Sequence, residues 1–189
     1  MLVMSQIAQN QNNPLHPHIF LDLDGVLADF YLHAHQENKF TADGKVDDSK
    51  LDYKWWATMP AYEGAKEFYD EARKLGTVKF LTGPIASEEC FSGKAHWVRE
   101  FVPERGKAIL KDLIICASGD KAYLARSNHI LIDDRASNIK DWEAQGGIGI
   151  LHTGNFDETL KKLQAAVLKL TTPAVPVKPK LNAPPPPQI

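Results

Sequence analysis

Five short apolar runs punctuate the chain, at residues 18–23, 77–81, 113–116, 129–132 and 148–151. Each has the length of a strand. Between them, residues 61–75, 87–101, 137–145 and 157–170 repeat their apolar positions at helical spacing. Strands alternating with helices predict an α/β fold, a three-layer doubly wound, Rossmann-like parallel sheet of about five strands.

One segment breaks this rhythm. Residues 28–60 contain no good strand and turn instead to aromatic, histidine and aspartate residues, with Trp55 and Trp56 near the end. An insertion directly after the first strand sits over the carboxyl edge of the sheet, where ligands bind in this architecture. It is expected to be a small, mostly helical cap over about residues 28–60 of a domain spanning 18–170. Phe30, Trp55 and Trp56 then have two roles open to them. They can form a slot in which a base stacks, or they can be the cap's own core, since so short a segment needs large side chains to be stable. Phe30 follows the first strand closely, which favours the pocket.

The ends differ from the middle. Residues 1–17 are expected to be a flexible N-terminal segment, rich in Gln, Asn, Pro and His toward its end. Residues 171–189 carry Pro173, Pro176, Pro179 and the run Pro184, Pro185, Pro186, Pro187, a composition that cannot build a packed core and predicts an extended or disordered tail. Solubilising the chain is the simplest role for such a tail; docking to a proline-recognising domain is the alternative.

Composition narrows the partners. With 43% hydrophobic and 24% charged residues in 189, the chain has the make-up of an ordinary globular protein. Its formal charge of -2 provides no field for gripping a nucleic-acid polymer, so any nucleotide it handles is small. Cys90 and Cys116 are too few for a disulfide framework and match no zinc spacing. Residues 1–13 lack the basic start and apolar run of a secretory signal, and no stretch approaches the roughly 20 apolar residues that span a bilayer. A reducing cytoplasmic location, with no membrane partner, is the expectation.

The chemistry gathers at strand ends. The first run closes in Asp22, Leu23, Asp24, Gly25, where two carboxylates one residue apart can face one side and Gly25 lets the chain turn at once. Their repulsion calls for protons or a cation, and a divalent metal is the natural partner. An EF-hand is excluded, because Gly25 stands fourth and His33 twelfth where a glycine sixth and an acid twelfth are required. A metal-binding Asp-x-Asp of glycosyltransferase type and a plain acidic turn both stay open on this motif alone.

Other positions bear on that choice. The second strand ends in Thr82, Gly83, Pro84, a hydroxyl and free backbone N–H groups that could hold a phosphoryl oxygen. Lys121 precedes the fourth strand, which ends in Asp133, Asp134, Arg135. With Asp22, these adjacent acids make an oxygen-rich cage suited to Mg²⁺. Arg135 is expected to anchor the acidic cluster. Lys94, on a helix with Trp97 and Val98 on its inner face, can reach a phosphate or be a solvated surface lysine. His16, His18, His33 and His35 have no third metal ligand at a useful spacing and are expected on the surface or in the cap.

Taken together, Asp22 and Asp24 with Gly25, Thr82, Lys121, and Asp133 with Asp134 resemble the four motifs of the haloacid dehalogenase superfamily of phosphohydrolases. The resemblance runs from Ile19 to about Gly154. Asp24 to Phe30, Pro60 with Gly64 and Ala65, Thr82 to Ile85, Lys94 with Trp97 and Val98, Asp120 with Lys121, and Leu131 to Arg135 further resemble the 5'(3')-deoxyribonucleotidases. Gly83 and Gly119 depart from that pattern, where a hydroxyl residue and an arginine are expected.

The resemblance implies a Mg²⁺-dependent phosphomonoesterase with Asp22 as nucleophile and Asp24 as acid and base. Mg²⁺ would be held by Asp22, the Asp24 backbone carbonyl and Asp134, with Asp133 acting through water or from behind. Thr82, Gly83, Lys94 and Lys121 would meet the phosphate, and Phe30, Trp55 and Trp56 would form the substrate pocket. The implied partner is a nucleoside monophosphate, with a homodimer left open. A sugar phosphatase, a phosphotransferase and a non-catalytic binding module are the alternatives.

Overall fold

The computed structural model describes residues 16–172. Of the tail expected over 171–189, Thr171 instead ends the last helix and residues 173–189 lie outside the described residues, as does nearly all of the N-terminal segment. His16 and Pro17 are held in place: the Pro17 carbonyl accepts from the Thr77 amide at 3.0 Å, and Asn128 Nδ2 donates to the His16 carbonyl at 2.8 Å.

In chain order the elements are β1 (His18–Leu21), α1 (Phe30–Gln36), α2 (Tyr53–Ala57), α3 (Ala65–Leu75), β2 (Thr77–Thr82), α4 (Glu88–Phe101), β3 (Leu113–Ile115), β4 (His129–Asp133), α5 (Ala136–Ala144), β5 (Ile148–Leu151) and α6 (Phe156–Thr171). Short 3₁₀ segments occupy Pro103–Asp112 and Ser118–Leu124. All strand pairings are parallel, in the order β3-β2-β1-β4-β5. The architecture is the three-layer, doubly wound α/β fold that the apolar runs predict.

Burial on both faces explains why those runs are unbroken. Along β1, Ile19 and Leu21 enter a core with Phe68 and Tyr69 of α3 and Leu163 of α6, whereas Phe20 between them packs on the opposite face with Leu131, Ile139 and Trp142. Helix starts follow local capping. The Ser87 side chain accepts from the Cys90 amide ahead of α4, and Asn155 accepts from the Glu158 amide ahead of α6. The predicted helix over 61–75 begins four residues late because Gly64 adopts a left-handed φ of 82° and Ala61 bridges to Ala28.

That bridge also closes the insertion on itself. The Asp29 amide donates to the Pro60 carbonyl at 2.8 Å and the Tyr62 amide to the Leu27 carbonyl at 2.9 Å, so the chain leaves and rejoins the sheet domain at one point. Between these points lie α1, α2 and an antiparallel bridge between Phe40 and Val46. The segment docks on α4 through Gly93. A Cβ there would stand 2.3 Å from Trp56 Cβ and 2.9 Å from the Tyr53 carbonyl, so only a glycine permits this approach.

Gly93→Ala is therefore expected to destabilise the protein by about 1–3 kcal/mol through overpacking, a fall of roughly 5 °C in melting temperature. Thermal denaturation of the variant checks this, and unchanged stability would show that α2 does not seat on α4 so closely.

Candidate active site

The strand order reverses at β1: the chain moves outward to β2 and β3, then returns to place β4 on the other side of β1. Such a switch point opens a crevice at the carboxyl ends of the strands. The Asp22 amide donates to the Ile132 carbonyl at 3.0 Å, which carries the β1–β4 pairing one residue past β1 and fixes Asp22 beside Asp133. Gly25 then turns the chain with φ of 78°. A side chain at Gly25 would collide with the Asp134 carboxylate, with 2.3 Å between its Cβ and Asp134 Oδ2. The glycine thus serves both the turn and the approach of a fourth-strand acid.

Asp22, Asp133 and Asp134 each place a carboxylate oxygen within 4.8 Å of the others. Asp133 has both oxygens engaged: Oδ2 accepts from Lys121 Nζ at 2.7 Å, Oδ1 from the Arg135 amide at 2.9 Å, and Asn138 Nδ2 lies 3.0 Å from each. An all-oxygen cluster of this kind suits a hard cation. Asp22 and Asp134 have the freer oxygens, with Asp133 holding its neighbours in place behind them.

Two lysines are buried in this acidic edge. Lys121 is 1% exposed and reaches Asp22 Oδ1 at 3.0 Å as well as Asp133. Lys94 is 0% exposed, which removes the surface alternative; its ammonium donates to Asp24 Oδ2 at 2.5 Å, Thr82 Oγ1 at 2.8 Å and the Gly83 carbonyl at 2.6 Å. These three acceptors use all its hydrogens. Lys94 therefore positions Asp24 and Thr82, and it can meet a phosphate only by exchanging one of them. The other Asp24 oxygen, Oδ1, is buried with no hydrogen-bond partner among the described residues.

The crevice is a cavity of about 480 Å³. Asp22, Asp24, Gly83, Ser118 and Asp134 form its floor, and Phe30, Tyr31, Phe40, Val46, Trp56 and Ile85 give it an apolar wall. Trp55 is not among the lining residues; it packs edge-on to both Phe30 and Trp56, at ring separations of 5.2 and 4.9 Å. So Phe30, half-buried, faces the cavity, Trp56 touches its lining while itself only 1% exposed, and Trp55 belongs to the core behind them. Arg135 holds the cluster through its backbone amide, and its exposed side chain lines the cavity. His33 is buried against Trp55, while His35 is exposed. Ser118, first residue of the 3₁₀ segment after β3, carries no signal in the sequence, where it is an isolated serine.

Electrostatics follow from burial. Desolvation, helped by Asp133 and Asp24 and opposed by Lys121 and Lys94, pushes the Asp22 carboxyl up to about 7. Burial and the neighbouring Asp133 raise Asp134 as well. Burial alone would lower Lys121, but Asp22 and Asp133 outweigh it and hold the ammonium above its ordinary range.

No family model and no curated protein matches the chain. Solved structures similar to it include the following three. One is an uncharacterized protein from Corynebacterium glutamicum, at 14% identity over 81% of this chain and 96% of that one, TM-score 0.46. Another is a HAD-superfamily hydrolase from Ehrlichia chaffeensis, at 13% identity over 80% and 98%, TM-score 0.46. The third is a hydrolase from Streptococcus pneumoniae, at 12% identity over 79% and 98%, TM-score 0.45. Among the described residues no helix is long and apolar enough to cross a membrane.

Two outcomes are expected of this site. Between the ordinary carboxylate range and about 7, the folded chain keeps a proton on Asp22 that the unfolded chain has lost. Unfolding then releases that proton, so in chelator the melting temperature should fall as pH rises toward 8. Asp134 adds in the same direction, and Lys121, raised from 10.5, titrates outside this window. Asp22→Asn should flatten the slope, and a melting temperature that climbed with pH would contradict the arrangement. Lys94→Met leaves Asp24, Thr82 and the Gly83 carbonyl without their donor; the loss should be on the order of 3 kcal/mol, read by urea denaturation.

Proposed function

We propose that the chain is a Mg²⁺-dependent phosphomonoester hydrolase that works through an aspartyl-phosphate on Asp22, most specifically a nucleotidase of the 5'(3')-deoxyribonucleotidase type. The observation that carries this is the pairing at the cavity floor: two carboxylates one residue apart, each in contact with its own buried lysine, Asp22 with Lys121 and Asp24 with Lys94. A plain acidic turn has no use for two desolvated ammonium groups, and burying them is costly unless their charges are needed there.

In the first step an Asp22 oxygen attacks phosphorus, the P–O bond to the leaving group breaks, and Asp24 gives its proton to the departing alkoxide. In the second, Asp24 takes a proton from water as the water oxygen attacks phosphorus. The bond to Asp22 then breaks, releasing phosphate and restoring both acids. The unpartnered Asp24 Oδ1 suits this shuttle, since Lys94 grips only Oδ2. Lys121 and the Thr82 hydroxyl would receive phosphoryl charge. Mg²⁺, held by Asp22, Asp134 and the Asp24 backbone carbonyl, would supply charge neutralisation and keep Asp22 ionised.

A nucleotide is favoured by the cavity wall. Phe30 and Trp56 lie side by side with Val46 and Ile85 in a space of about 480 Å³, room for a nucleoside monophosphate with its base against the aromatic rings. Stacking of that kind contributes ~1–3 kcal/mol per base.

Asp22→Asn is expected to abolish phosphate release, and chelation to do so reversibly on return of Mg²⁺. Full activity in Asp22→Asn would rule out the covalent route. Across deoxy- and ribonucleoside 5'- and 3'-monophosphates and sugar phosphates, the nucleotides should give the highest kcat/KM; a sugar phosphate in first place would replace the nucleotidase by another phosphatase of this chemistry.

A further inference from the structure

The floor of the cavity has few free side-chain donors for a phosphoryl group. All three Lys94 hydrogens are taken by protein oxygens, and two of the three on Lys121 face Asp133 and Asp22. The Leu23 amide is engaged as well, donating to Asp22 Oδ1 at 2.9 Å. Among these side chains, only Thr82 and one lysine hydrogen are left for three phosphoryl oxygens. Next to Thr82, where a second hydroxyl would help most, the chain has Gly83 and no side chain at all.

The missing group arrives from another strand. Thr82 pairs with Ile115 in the sheet, and the Cys116 amide extends that pairing by donating to the Thr82 carbonyl at 3.1 Å, which brings the loop after β3 alongside Gly83. A Cβ at Gly83 would lie 2.6 Å from Ser118 Oγ, so the serine hydroxyl occupies the space that a side chain at 83 would fill. Ser118 lines the same cavity as Asp22, Asp24 and Asp134. Gly83 has no positive φ, so its backbone does not demand glycine; a side chain there would instead turn the Ser118 hydroxyl out of its place.

We infer that Ser118 supplies a phosphoryl-contacting hydroxyl in place of a side chain at position 83, and that Gly83 and Ser118 form a complementary pair. This rests on the phosphomonoesterase function proposed above and adds to it a binding residue from a third strand's loop. It also fixes a restriction: a hydroxyl can stand at 83 or at 118, but not at both without displacing one.

The test uses the full chain with Mg²⁺, measuring hydrolysis of p-nitrophenyl phosphate and, separately, binding of inorganic phosphate by calorimetry. Ser118→Ala should raise KM and weaken phosphate binding roughly tenfold, the loss expected for one hydrogen bond to a charged acceptor, with kcat changed less. Gly83→Ser alone should weaken phosphate binding by less than Ser118→Ala, because the hydroxyl it brings offsets the Ser118 contact it displaces. The double variant, Gly83→Ser with Ser118→Ala, should return to within about threefold of the parent, which simple loss of two independent contacts cannot do.

Phosphate binding unchanged in Ser118→Ala, or a double variant as weak as the product of the single effects, overturns the pairing. If the parent chain binds phosphate but releases none from the ester, the hydrolase function fails while the binding series still decides Ser118. If it neither hydrolyses nor binds, both fail together.

Discussion

The interaction on which the rest depends is the contest between like charges at one edge of the sheet. Asp22, Asp24, Asp133 and Asp134 converge there, opposed by only two buried ammonium groups. Each lysine is tied to more than one partner, so its position is over-determined: Lys121 bridges β1 and β4 through Asp22 and Asp133, and Lys94 bridges β1 and β2 through Asp24 and Thr82. The three central strands are thereby clamped at their carboxyl ends by charge as well as by backbone pairing. A buried pair with its hydrogen bonds complete is tolerated, whereas loss of either partner leaves an uncompensated charge.

Much of the fold was legible because a parallel sheet covered on both faces leaves an unmistakable trace. Ile19, Phe20 and Leu21 alternate between two cores, so every position must be apolar and the run is unbroken. The strand order was not legible in the same way. Nothing in residues 129–133 taken alone says that this strand returns to pair with β1; that follows from the reversal of the winding direction, a property of the whole chain. The 3₁₀ segment Pro103–Asp112 also escaped, since its apolar positions are sparse and Gly106 breaks its dihedrals with φ of 52°.

At the site, residues differ in legibility for local reasons. The acids announce themselves because carboxylates at the ends of apolar strands have no folding purpose. Lys94 reads from its type as a surface residue, and only the inward face shared with Trp97 and Val98 hints at its burial. Trp55 and Trp56 are indistinguishable in sequence, but successive helical residues point about 100° apart, so only one of them faces the cavity. Ser118 carries no signal of its own. Its significance is relational, readable only once the loop after β3 is known to pass Gly83, and a departure from pattern at 83 is the one trace it leaves in the sequence.

Charge balance joins these observations to reactivity. With two lysines against four carboxylates, the edge has an excess of two negative charges among these groups when all are ionised, which it can relieve by binding protons or by binding a divalent cation. The raised Asp22 carboxyl, at about 7, is the proton answer, and in that form it is a poor nucleophile. The cation answer leaves Asp22 ionised and directed into the cavity. The same repulsion that makes the acidic edge costly to fold is thus what a hard cation would relieve there. Lys121, which touches Asp22 and Asp133 at once, neutralises only part of the charge it spans.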